Sequence, residues 1–334
     1  MASSVASVGR AVKTMRRVLF AASAILIWAV LPLILPRHFT DLLVFAAIYS
    51  IAGLGVGLLL GHCGIVTLAQ SAFYAIGAYA SAIVTVTLKL PMVVGVAAGL
   101  ITSALIALAI GWPVLRLRGY FLAVATLALA MIASALFFEW DWLTGGTIGL
   151  GGIPKLGVLG VALDTPQSFY YAAWVVAALA MVLVHNLVSG RTGLAMRSMR
   201  DAIDAARVLA IDIHSLRVQM FVLCAMLGSL SGSLFAHYTG YVSVASFSID
   251  KAILFLLIPV IGGAGSIAGI IVGALFITFV PEVLSKIGDF HGIVFGLALV
   301  IVVIAAPHGI VGSIERWWHD RRTGLSSSAA EGRQ

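Results

Sequence analysis

GRTGLAMRSMRDAIDAARVLAIDIHSLR, Gly190 to Arg217, holds eight of the chain's 20 Lys and Arg and 13 Asp and Glu side chains. The apolar runs Phe169–Val188 and Val218–Tyr238 flank it. Charges at this density do not lie in hydrocarbon, so the stretch marks a polar-side structure between two membrane spans. Arg197, Arg200, Asp201, Asp204 and Arg207 recur at helical spacing beside Met196, Met199, Ile203 and Ala206. That pattern predicts an amphipathic docking helix. A membrane protein presenting such a helix to the cytoplasm is expected to meet a partner there.

The rest of the chain is greasy. It is 61% hydrophobic and 10% charged, with a mean hydropathy of +1.11, against about 25% charged for soluble domains. Ten spans would need about 200 apolar residues, which the composition supplies. The expected fold is therefore all-α, a polytopic membrane helix bundle embedded in the lipid bilayer. A net charge of +7 fits basic residues held on the cytoplasmic face and gives no reason to invoke nucleic acid. Cys63 and Cys224 form no redox or metal spacing. Arg10, Lys13, Arg16 and Arg17 precede a long apolar run with no small-x-small cleavage site, which reads as an uncleaved first span rather than a signal peptide.

Apolar runs broken by polar or Gly/Pro residues give spans at Val18–Leu35, Leu42–Leu60, Ile65–Leu88, Met92–Gly111 and Tyr120–Phe138. After a long loop, Glu139–Ser168, come Phe169–Val188, Val218–Tyr238, a short Ala252–Gly262, Ile267–Leu284 and Gly292–Ala306. Ten crossings with both termini inside place 15 of the 20 basic residues on the cytoplasmic side. Residues 1–17 are then a cytoplasmic basic segment, 18–306 the membrane domain with 139–168 outside and 190–217 inside, and 307–334 a cytoplasmic tail. The tail's Ser/Ala/Gly-rich end is expected to be disordered. Ala252–Gly262 is too short to cross about 30 Å of hydrocarbon. It is either a broken or re-entrant helix, or it borrows length from its neighbours around a Gly turn.

Catalytic, cofactor-binding and metal residues are not expected. The chain has no phosphate-cradling GxxxxGK[ST], no HExxH and no GxSxG. His185 and His237, each near a span end, are the few ionisable groups in the spans, which argues against a proton-driven carrier. Gln70, Tyr74 and Ser81 share one helical face, and Thr126 lies in the fifth span. They could line a substrate pathway or bond helix to helix. Gly228/Gly232 and Gly269/Gly273 have the spacing of close helix packing. In the predicted outer loop TGGTIGLGGIP, Thr144, Gly145, Gly146 and Gly149 offer turns and backbone amides. That loop could face a partner protein or simply cap the bundle.

Five stretches in order resemble the LivM-type permease subunit of branched-chain amino acid ABC importers. They are GLGVGLLLGHCGIVTLAQSAFYAIGAYASA, LRLRGYFLAVATLALA, TGGTIGLGGIP, SGRTGLAMRSMRDAIDAARVLAIDI and IGGAGSIAGIIVGA. The likeness runs from about Asp41 to Ala306. It implies a permease subunit moving a small solute, branched-chain amino acids first, across the bacterial inner membrane. Implied partners are a LivH-like sister permease, two cytoplasmic ATPase subunits that carry the ATP and Mg, and an external solute-binding protein. Arg197, Met199, Arg200, Asp201, Ile203, Asp204, Ala206 and Arg207 would then couple to the ATPases. Met196, Met199, Ile203 and Ala206 would pack into a groove of the partner. The pattern departs from the family at Asp204 for Glu, Ala210 for Gly, Ile270 for Pro and Ile148 for a polar residue. The last of these leaves the solute open. A self-sufficient secondary transporter or channel is the rival reading.

Overall fold

A computed structural model describes residues 28, 31–117, 119–155, 157–158, 161–162, 165–209, 211–285, 291–306 and 309–313. The basic segment 1–17, most of the first predicted span and the end of the tail lie outside the described residues. Backbone amides inside a bilayer must be satisfied within the protein, and the apolar runs accordingly form helices. These are α1 (Arg37–Gly57), α2 (Gln70–Val86), α3 (Met92–Val114), α4 (Tyr120–Glu139) and α5 (Pro166–Ser189). The charged stretch forms α6 (Arg191–Asp201) and α7 (Ile203–Val208). Then follow α8 (Ile213–Thr239), α9 (Ile249–Gly262), α10 (Ile267–Ser285) and α11 (His291–Ala305).

Eight stretches are long and apolar enough to cross a membrane, and α2 is a shorter apolar helix. Together they match the second to tenth predicted spans, and the chain is a multi-pass membrane helix bundle. Boundaries moved where polar residues join a helix. α1 starts at Arg37, directly after Pro36, and runs on through a π-helical turn, Leu58–His62. The segment predicted as the start of the third span, Ile65 to Ala69, is not helical. Its amides find other partners: Ile65 N donates to Leu59 O (2.9 Å), Leu68 N to Thr126 Oγ1 (3.1 Å) and Ala69 N to Thr67 Oγ1 (3.3 Å). Irregular backbone at this depth is tolerated when it is buried and bonded in this way.

The centre of the bundle is α1, α2 and α8. The Arg37–His62 span is 89% buried, against 22% for α3 and for α4. The small-residue spacing of α8 does what it predicts. A Cβ on Gly232 would lie 1.8 Å from Tyr74 O, and one on Gly77 would lie 2.1 Å from Ser229 O. Backbone thus rests on backbone. α3 shows the same logic at the rim: its buried residues are Gly95, Gly99, Ser103, Ala107 and Gly111, one every four positions. The opposite face presents Ile101, Leu105 and Leu108, side chains suited to lipid.

The short predicted helix borrows length. A 3₁₀ turn, Val244–Phe247, precedes α9, and together they form a 19-residue stretch. α9 stops at Gly263, whose φ of 116° few side chains adopt. The chain then returns as α10, so close that a Cβ on Gly262 would meet Gly269 O at 1.8 Å. This is the Gly turn between paired helices.

Candidate functional site

Three regions carry the sequence's candidate residues. The first is the charged segment. α5 ends at Ser189, and the turn into α6 is so tight that a Cβ on Gly193 would sit 1.8 Å from Val188 O. α6 is amphipathic as expected, but its apolar face looks inward. Met196, Met199 and Ala206 are 0–1% exposed within this chain, and Ile203 is half-buried. The expectation that these side chains seat in a partner's groove is corrected here: this chain's own core already covers Met196, Met199 and Ala206. The periodicity identified the apolar face, but it carried no information about what covers it.

The basic residues also point elsewhere than expected. Arg200 Nη1 donates to the Gly61 carbonyl in the π-helical turn that ends the α1 span. Its Cγ lies so near Gly64 that a Cβ there would be 3.2 Å away. Arg197 Nη1 donates to Val188 O at 3.3 Å. The i,i+4 pairs Arg197/Asp201 and Arg200/Asp204 do not form. Instead, Arg200 approaches Asp201 (3.9 Å) and Arg207 holds Asp204 (3.3 Å), with the latter pair well exposed. The outward face comprises Arg191, Leu194, Asp201, Asp204, Arg207, Val208 and Leu209, with Arg200 half-exposed at its edge. Val208 is 87% exposed, an uncovered apolar side chain that the spacing argument missed. An apolar pair next to the last basic residue of the amphipathic run was the available signal.

The second region is the face of α2. Gln70 is fully buried: Nε2 donates to Ala52 O (2.9 Å) and Oε1 accepts from Cys224 Sγ (3.0 Å). It thus clasps α1 and α8 to α2. Ser81 Oγ pairs with His237 Nε2 at 2.8 Å, and His237 Nδ1 donates to Pro154 O at 2.8 Å. Imidazole bonded at both nitrogens ties the long loop to α2 through α8. Tyr74 sits among Phe235, Phe247 and Phe255, and its hydroxyl has no hydrogen-bond partner among the described residues. Thr126 does not join these three. Its hydroxyl accepts from Leu68 and donates to Ala123 O, which pins the irregular segment before α2. Three ionic or polar links went unnoticed in the sequence: Tyr238 with Asp41, Lys251 with Tyr49 and His38 with Glu282. Ionisable residues at span ends were their signal.

The third region is the glycine loop. Gly145, Gly146 and Gly149 all have positive φ (74°, 51° and 78°). Thr144 is fully buried, donates to Phe137 O and Trp140 O (2.6 and 2.9 Å), and accepts from Gly146 N. The following strand, Leu150–Gly151, pairs antiparallel with Tyr241–Val242. Gly149 lies beneath that pairing: a Cβ on it would meet Val242 O at 2.3 Å. The loop is therefore stitched to the α8–α9 connection, and Ile148 projects outward.

The family model described as branched-chain amino acid transport system / permease component matches residues 38–303. The chain belongs to this family. It is a transmembrane permease subunit of an ABC importer, and the matched region contains all three regions above. The high-affinity branched-chain amino acid transport system permease protein LivM of Escherichia coli K12 is 27% identical over 321 residues, covering 89% of this chain and 76% of that protein. The permease protein LivH of the same organism is 26% identical over 294 residues, covering 80% and 92%. The autoinducer 2 import system permease protein LsrC of Salmonella paratyphi B is 25% identical over 198 residues, covering 58% and 53%. No solved structure matches the chain.

Within this permease the predicted docking residues share one end of the bundle, on α6 and α7. Gln70, Tyr74 and Ser81 share the α2–α8 seam, and the glycine loop caps the far end of the same seam through His237. The α6–α7 segment and the glycine loop lie at opposite ends of α5.

Proposed function

We propose that this permease carries branched-chain amino acids, or a solute of similar amphiphilic size, inward across the bacterial inner membrane. The α6–α7 end lies in the cytoplasm, with both termini, and the glycine loop lies outside. A LivH-like sister permease stands beside the chain, and a solute-binding protein delivers cargo to the loop side. Two ATPase subunits, which hold the ATP and Mg, dock on α6 and α7.

The observation that carries this reading is the way α6 is mounted. Its Met196 and Met199 face is buried in the bundle, and Arg200 reaches the π-helical turn at the end of the α1 span. Leu194 and Asp201 of α6, with Asp204, Val208 and Leu209 of α7 and its end, are left outward. Force applied to that outward face has a short path through Arg200 to the irregular Gly64–Ala69 segment. From there it passes to Thr126 through Leu68 and to α2, which starts at Gln70. Unpartnered buried hydroxyls on Tyr74 and Tyr79 support a pathway along α2. Buried polar groups in native proteins are mostly paired, and these would be satisfied once water or solute enters.

The test is uptake of labelled leucine into vesicles holding the reconstituted complex, with and without ATP inside the ATPase compartment. Competing valine, urea and aromatic acids define the solute. ATP-dependent, valine-sensitive uptake is expected. Uptake by this chain alone, driven by an ion gradient, would overturn the reading.

A further inference from the structure

A cavity of about 900 Å³ opens between α1, α9, α10 and α11. Asp250 and Lys251 line it from the first turn of α9, Glu282 and Ser285 from the last turn of α10. This is the glycine-loop end of the bundle, because α9 follows the Tyr241–Val242 strand that pairs with the loop. The rest of the wall is largely apolar, with Leu257, Ile277 and Leu299 on it. Apolar walls with a few polar groups to fix orientation, around about 300–1,000 Å³, are the usual form of a ligand site.

Lys251 is half-buried, and its Nζ donates to the Tyr49 hydroxyl at 2.8 Å while lying 5.1 Å from the centre of that ring. Both contacts are to a neutral phenol. No carboxylate among the described residues forms an ion pair with Lys251. Asp250 precedes it in sequence, but successive residues of a helix do not face each other. An ammonium has three donors, and one drawn out of water without a counter-ion favours an anion beside it. Asp250 is exposed, and Glu282 pairs with His38 Nε2 at 2.8 Å on the open side. The cavity also leads inward. Tyr49 meets Phe255 at 5.7 Å, and Phe255 meets Tyr74 at 5.0 Å, so two aromatic contacts join its wall to the α2 face.

A ligand matched to this wall carries a carboxylate for Lys251, an ammonium for the two acids and a compact aliphatic body for Leu257, Ile277 and Leu299. A simple carboxylic acid would have no charge to offer Asp250 and Glu282, and a simple amine would be repelled by Lys251. We propose that this cavity receives the solute as a zwitterion, Lys251 holding the carboxylate and Asp250 and Glu282 the ammonium of a branched-chain amino acid on its way past Tyr49 toward Tyr74. The assignment rests on the transport of such solutes proposed above.

The test places Ser285→Cys, at an exposed position on the rim, in the purified transporter complex in nanodiscs without solute-binding protein. Labelling by a small methanethiosulfonate is followed; Cys63 and Cys224 are buried. Leucine should slow the labelling saturably. 3-Methylbutylamine, which lacks the carboxylate, and 4-methylpentanoate, which lacks the ammonium, should need about tenfold more, the loss of one hydrogen bond to a charged group. Lys251→Met should raise the leucine concentration for half-protection about tenfold for the same reason. Tyr49→Phe removes the same tie between α1 and α9 but keeps the ammonium, and should leave that concentration unchanged. A matching rise in Tyr49→Phe would make Lys251 a structural tie and overturn the proposal, as would equal protection by leucine and 3-methylbutylamine. ATP-dependent leucine uptake with no protection by leucine sinks this site and leaves the transport reading standing. Protection without uptake keeps the site and sinks the transport reading. Labelling that follows the phosphatidylethanolamine content of the disc and ignores leucine would make this a lipid headgroup site instead.

Discussion

Gln70 shows how one side chain can be read two ways from sequence and one way from structure. A polar residue inside a span suggests a pathway, yet both ends of this amide are spent on Ala52 and Cys224. Gln70→Leu should therefore behave as a packing lesion: it leaves a buried carbonyl and thiol unpaired, at a cost of about 1–3 kcal/mol. The expected outcome is a lower melting temperature in detergent with solute selectivity unchanged. A shift in selectivity would return Gln70 to the pathway. Cys63 allows a second prediction. Just past the end of the α1 span, burial pushes its thiol up to about 12, with the Arg217 charge pulling only partly the other way. Since the thiolate is the reactive form and both cysteines are buried, maleimide should label the native chain barely at all near pH 7.5. A cysteine placed at Val208 should label readily in the isolated permease and become protected when the ATPases bind.

At the level of the element, α6 separates two roles that its charge pattern had merged. The 3.6-residue periodicity gave an apolar face from Met196 through Ala206, but the single helix it predicted is two, α6 and α7, broken at Ala202. It could not say whether the cover was a partner or the chain itself, because a buried methionine looks the same in either setting. Charge is ambiguous in the complementary way: Arg200 is half-exposed, yet its guanidinium donates inward to Gly61 O. The two roles predict different failures. Arg200→Ala should leave ATPase copurification intact while raising the ATP hydrolysed per solute moved, because the latch to the π-helical turn is lost. Val208→Asp should cut copurification itself, since an exposed apolar contact gains an unpaired charge. If Arg200→Ala instead sheds the ATPases, the latch assignment is wrong. The irregular segment Ile65–Ala69 was hidden for a similar reason. Its residues are as apolar as a span, and the bonds that let it unwind come from Leu59 and Thr126, far apart in sequence.

Across the whole molecule, the order of the apolar helices from the second predicted span to the tenth was legible because a bilayer leaves apolar helices as the only economical solution. The small-residue spacings were legible too, and they became the close contacts of α2 with α8 and of α9 with α10. The stitching between distant loops was not. The bond from His237 to Pro154 and the pairing of Leu150–Gly151 with Tyr241–Val242 join residues no local pattern relates. One feature of the centre reaches further. Where Gly232 lies on Tyr74 O and Gly77 on Ser229 O, even one methyl group has no room. Saturation mutagenesis scored by transport should therefore give a map unlike that of a soluble protein. Leucine-for-isoleucine, valine or even serine changes on the outward faces of α3 and α4 should pass. Alanine at Gly77 or Gly232, the mildest replacement available, should be lethal. In this chain the tolerance of a site for change is set by its distance from two backbone crossings, and hydrophobicity alone would rank the sites wrongly.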